Sequence, residues 1–145
     1  MCGRYAATAN PDELVEAFDV DLDATAEPGR SVLVSPQTPA PGRPDYNMAP
    51  TKQAPVVLHR PVRGAPEQDP VRQLRLLTWG LVPPWSADPR AGVRMINARA
   101  ETVLESRSYS GPARARRCLV PARGWYEWQL SPLARDQRNK PRKQP

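Results

Sequence analysis

A chain of 145 residues with 39% apolar and 25% charged side chains suits one globular domain, lean in hydrophobics, and its 19 prolines favour loops and short strands over long helices. It has no apolar run of about 18 residues for a transmembrane helix. Acidic side chains interrupt residues 1–20 where a signal peptide would be apolar, and two cysteines with one histidine make neither a disulfide framework nor a zinc site, so a reducing cytoplasm is the default. Charge is uneven: residues 1–113 carry 12 basic and 13 acidic side chains, residues 114–145 carry 9 and 2. A basic end of this kind suggests a polyanion, nucleic acid first, or a solvated basic tail.

The chain opens Met1-Cys2-Gly3-Arg4-Tyr5. Trimming of Met1 would leave Cys2 with a free α-amine beside its thiol, groups with ordinary pKa values of about 8 and 8.5. Such a 1,2-aminothiol condenses with an aldehyde through its amine and closes a thiazolidine ring through its thiol. The plainer alternative is an inert, frayed terminus. Asn10, Pro11 and Glu13 then form a helix start, and Leu14, Val15 and Phe18 an apolar stripe, so the pattern predicts a short helix over 11–19.

Residues 20–45 lack periodicity and read as a surface loop, and 61–70 as another. Between them, Tyr46–Thr51 returns to order and 54–59 reads as a strand. Residues 72–82 read as a strand entering Trp79-Gly80-Leu81-Val82-Pro83-Pro84-Trp85, a stiff apolar projection that serves either as a core corner or as a platform for nucleobases. A short helix over Ala100–Ser106 would set Asn97 and Arg99 at its N-terminal edge, where an anion is favoured. Residues 116–121 and 124–128 read as strands. In the second, alternation groups Tyr126 with Trp128 and Trp125 with Glu127, whose carboxylate is either a general base or a salt-bridge partner. Beyond Gln129 the chain turns polar and basic, with no closing element expected.

Five blocks in order resemble the SRAP family, the SOS-response-associated peptidase domain, whose eukaryotic member is an abasic-site processing protein. They are Met1–Tyr5, Tyr46–Thr51, Trp79–Trp85, Ile96–Thr102 and Arg117–Trp128. The resemblance implies an α+β fold with mixed β-sheets packed around a cleft for single-stranded DNA, no cofactor and no metal, and a cytoplasmic, nucleoid-associated monomer. It implies that mature Cys2 crosslinks to the aldehyde of an abasic site. Glu127 would serve as general base, and Asn97 would hold the sugar or the amine. Arg4 and Arg99 would grip flanking phosphates, while Pro50, Trp79 and Trp85 would wall the bases. The family's later His-x-Arg-Met-Pro motif is not found, and His59 matches no family catalytic position. On this reading residues 1–145 correspond to roughly the N-terminal two-thirds of one SRAP domain. A cysteine peptidase acting through Cys2, and a DNA-binding remnant without chemistry, are the alternatives.

Overall fold

The computed structural model describes residues 3–28 and 36–144, so Cys2, expected from the sequence to be the nucleophile, and part of the 20–45 stretch lie outside the described residues. Helix α1 spans Pro11–Ala17. The Asn10 side chain accepts from the Glu13 amide at 2.9 Å, and the Glu13 carboxylate accepts from the Asn10 amide at 3.3 Å, a reciprocal cap that fixes the helix start. The apolar stripe then does its expected work: Leu14 is buried against Val57 and Leu74, with Val15, Phe18 and Val20 packed around them.

Strand β1 runs Arg4–Ala7, β2 Leu22–Asp23, β3 Asp45–Met48, β4 Gln53–Arg60 and β5 Val71–Thr78. Strands β4 and β5 pair antiparallel from Gln53↔Thr78 to Arg60↔Val71, and the expected 61–70 loop joins them. The 20–45 stretch is not wholly loop. Its short β2 adds parallel to β5, because the Asp21 amide donates to the Arg72 carbonyl at 2.9 Å and the Ala24 amide to that of Leu74 at 2.9 Å. Two residues are too few for periodicity to reveal such a strand.

A second sheet is ordered β3-β1-β6, all antiparallel, where β6 is Gly124–Tyr126. Tyr5, Ala7, Met48 and Ala54 make its core, with Trp79 packed on them. The expected 72–82 strand stops at Thr78. Gly80 has a φ of 125°, and a Cβ there would collide with the Gly92 carbonyl, so the chain turns where only glycine fits.

Three other expectations are corrected. Ala100–Ser106 forms successive turns closed by bonds such as Glu105 amide to Thr102 carbonyl at 3.1 Å, since seven residues with β-branched Thr102 and Val103 make a marginal helix. Helix α2 lies later, at Ser110–Ala115. Residues 116–121 give a single bridge, Leu119 to Val57, in place of a strand. The basic tail does form a closing element, a hairpin of β7 (Gln129–Arg135) and β8 (Pro141–Gln144). Its turn is held by Asp136, whose carboxylate accepts from the Arg138 and Lys140 amides at 2.8 and 2.9 Å, with Asn139 at positive φ. The fold is α+β, mixed small sheets with a few short helices.

Candidate functional site

Antiparallel pairing of β1 with β6 sets Arg4 opposite Tyr126 and Tyr5 opposite Trp125. Because side chains alternate across a strand, Arg4 and Tyr126 rise on one face while Tyr5 and Trp125 take the other. On the first face lies an open recess of about 620 Å³, lined by Gly3, Arg4, Tyr46, Asn47, Tyr126 and Trp128. Its floor is fixed by two cross-strand bonds. Arg4 donates to Asn47 Oδ1 at 2.7 Å, and the Tyr126 hydroxyl donates to the Tyr46 carbonyl at 2.8 Å. Beneath it Asp45, 2% exposed, pairs with Lys52 at 2.6 Å and accepts from the Asn47 amide at 2.8 Å. Lys52 also donates to the Asn47 carbonyl at 3.2 Å, so the segment carrying Tyr46 and Asn47 is tied down from below. The recess thus combines a guanidinium, an amide and three aromatic rings, chemistry suited to a phosphate beside unstacked bases.

The opposite face holds an apolar cavity of about 530 Å³, lined by residues that include Tyr5, Val56, Trp79, Cys118, Val120 and Trp125. Trp79 meets Tyr5 edge-on, with centroids 5.2 Å apart. Cys118 is exposed as a residue, yet burial of its thiol against this cavity pushes it above the usual thiol range, opposed by the nearby Arg60 guanidinium.

The site residues expected from sequence are not all brought together. Arg4 sits in the recess. Pairing of β1 with β6 ends at Arg4–Tyr126, so Gly3 and Glu127 are the next residues beyond those strand ends, and Glu127 is an exposed residue. Asn97 and Arg99 lie on an exposed segment before the turns. The backbone there is held by the Tyr109 hydroxyl, which donates to the Asn97 carbonyl at 3.1 Å, and by the Trp79 indole, which donates to that of Ile96 at 3.4 Å. Partial burial pushes the Tyr109 phenol above its usual range. Trp79 belongs to the core cluster and the apolar cavity, and Pro50 is half-buried on the segment after β3. Trp85 is exposed, with the Arg107 guanidinium stacked 4.8 Å from its ring centroid. Tyr46 and Asn47 carried no assigned role in the sequence, although the alternation of Asn47 with the buried Met48 marks it as facing away from the core. Among the described residues no group of His, Cys, Asp and Glu could hold a metal ion, and no helix is long and apolar enough to cross a membrane.

Comparison with known proteins adds an independent line. The chain is 33% identical over 129 residues to the abasic site processing protein YoqW of Bacillus subtilis (strain 168), covering 89% of this chain and 48% of YoqW. It is 35% identical over 133 residues to the abasic site processing protein HMCES of Rattus norvegicus, covering 89% of this chain and 36% of HMCES. The crystal structure of a phage-related protein from Bordetella bronchiseptica superposes with a TM-score of 0.58 at 30% identity, over 99% of this chain and 53% of that one. The chain therefore spans about half the length of these relatives, or less. The model of the SOS response associated peptidase family matches residues 1–145, and the chain belongs to that family, SRAP.

Proposed function

We propose that this chain takes part in processing abasic sites in DNA, and that Cys2, freed of Met1, crosslinks to the ring-opened aldehyde in single-stranded DNA. The amine adds to the aldehyde with loss of one water to give an imine. The thiol then adds across the carbon–nitrogen double bond and its proton passes to nitrogen, closing the thiazolidine. The observation that carries this reading is the recess, which begins at Gly3, the residue bonded to Cys2, and continues through Arg4, Asn47, Tyr126 and Trp128. Relatives named abasic site processing proteins support it.

In this reading Arg4 takes the phosphate beside the lesion, and the Tyr126 and Trp128 rings offer faces to neighbouring bases. Glu127, one residue beyond the last β1–β6 pair, relays protons as general base. Asn97 holds the sugar or amine, Arg99 a second phosphate, and Pro50, Trp79 and Trp85 limit the path of the strand. The protein works as a cytoplasmic monomer on DNA.

Intact mass spectrometry after incubation with a single-stranded oligonucleotide bearing one abasic site tests the reaction. The expected product has the mass of protein lacking Met1 plus oligonucleotide minus one water, and is absent from Cys2→Ala. A folded chain lacking Met1 that gives no adduct overturns the crosslinking reading. Peptide cleavage through Cys2 without any aldehyde would favour a peptidase instead.

A further inference from the structure

On the β2-β5-β4 sheet, a separate cavity of about 410 Å³ is lined by residues that include Glu27, Arg60, Arg63 and Arg75, walled by Pro28 and Leu76. Arg75 stands in the middle of β5, opposite Val56, and is only 9% exposed. Its Nε donates to Gln73 Oε1 at 2.8 Å and its Nη1 to Glu27 Oε2 at 2.7 Å, but its Nη2 is buried with no hydrogen-bond partner among the described residues. Gln73 is fully buried, and its amide is tied to the Arg60 carbonyl at 2.6 Å, so its oxygen cannot swing across to serve Nη2. A guanidinium favours a planar, two-toothed partner on its Nη1–Nη2 edge, and Glu27 fills only half of that edge. Among the described residues, three guanidiniums line this cavity against one carboxylate.

We infer that this cavity is a binding site for a phosphate group, which displaces the Glu27 carboxylate from Arg75. The Glu27 side chain is 40% exposed and can rotate into water, whereas that of Arg75 is 10% exposed and stays. Two phosphate oxygens then engage Nη1 and Nη2 of Arg75, and Arg60 and Arg63 close over the remaining charge. Glu27 competes for the site, and that role gives the inference an unusual signature: its removal tightens binding.

Titration of inorganic phosphate into the protein, followed by ³¹P line broadening at constant ionic strength in chloride, reads this directly. Glu27→Gln is expected to lower the dissociation constant by at least about threefold, and Arg63→Ala to raise it by a similar factor. Arg138→Ala, which removes the same charge from the distant hairpin turn, leaves it unchanged. An undamaged single-stranded oligonucleotide added to the phosphate complex separates the sources. Release of phosphate assigns the site to the DNA backbone, and retention assigns it to free phosphate or a phosphomonoester. Equal constants in wild type, Glu27→Gln and Arg63→Ala, or no broadening in any of them, overturn the site. A gain on Glu27→Gln is not a result that misfolding can imitate, and Arg63→Ala leaves the abasic crosslink yield intact, so the two proposals fail separately.

Discussion

The two faces of the β3-β1-β6 sheet are built from the same few residues in alternation, and they differ in almost every physical respect. Towards the recess stand Arg4, Asn47 and Tyr126, open to water and joined by hydrogen bonds across strands. One residue along each strand, Tyr5 and Met48 are buried at 5% and 1% exposure, while Trp125, paired with Tyr5, stands at the rim of the apolar cavity. The apolar face fixes the register, because a slip of one residue would send Met48 and Tyr5 into water and Arg4 and Asn47 into the core. The recess is thus positioned by packing on the opposite side of the sheet. The recognition proposed for one face depends on stability from the other.

That dependence predicts unequal responses to truncation. Met48→Ala removes a fully buried side chain from the first core cluster and is expected to destabilise the protein by about 3 kcal/mol, read as a lower urea midpoint. Recess function falls with it, because the strand that carries Asn47 loses its anchor. Lys52→Ala leaves the buried Asp45 carboxylate without its cation, and about 2 kcal/mol is expected. That figure lies below the usual cost of breaking a buried pair because the Lys52 side chain is 21% exposed and water already reaches it. A Lys52→Ala midpoint equal to wild type would mean that the segment carrying Tyr46 and Asn47 is held without this pair.

On the recess face the same operation should read differently. Arg4→Ala takes away an exposed hydrogen bond, and stability should change by no more than about 0.5 kcal/mol. Binding of undamaged single-stranded DNA should weaken, and the slope of log affinity against log salt should shrink by about 0.7, the share of one phosphate on a single strand. An Arg4→Ala variant with lower stability and an unchanged salt slope would place Arg4 among the structural residues and break the division between the faces.

The division itself was partly legible in the sequence. Alternation alone grouped Tyr126 with Trp128, which both line the recess, and set apart Trp125, which lines the apolar cavity; Glu127, grouped with Trp125, lines neither. The cap at Asn10 and Glu13 and the two strands β4 and β5, though not their pairing, were equally legible, since each rests on local pattern. Asn47 was not, because its role depends on a bond to Arg4 across 43 residues of chain, set by the pairing of β1 with β3. The Asp45–Lys52 pair escaped for a related reason: burial, which gives the pair its importance, is a tertiary property. In the tail the turn at Asp136–Asn139 was overlooked because hydrophobic patterning is weak there, with Leu130 and Leu133 exposed at 62% and 88%. A polar hairpin carries little periodic signal.

The smallest effect, and the sharpest on the comparison, concerns Cys118, which lines the apolar side, whereas the recess begins at Gly3, the residue after Cys2 in the chain. Burial pushes the Cys118 thiol upward, so at pH 8 a smaller fraction is thiolate than in the unfolded chain. In Cys2→Ala, where Cys118 is the remaining cysteine, iodoacetamide should label the folded protein more slowly than the urea-unfolded chain, and the gap should narrow as the pH rises. Shielding alone would slow labelling by the same factor at every pH, so the narrowing separates ionisation from access. Linkage gives the matching change in stability. The unfolded thiol loses its proton first, so the contribution of the neutral thiol is complete below the ordinary thiol pKa and declines as the pH climbs through the folded value. Cys118→Ser, which does not titrate in that window, should flatten that decline. A decline of equal depth in Cys118→Ser would assign it to other groups.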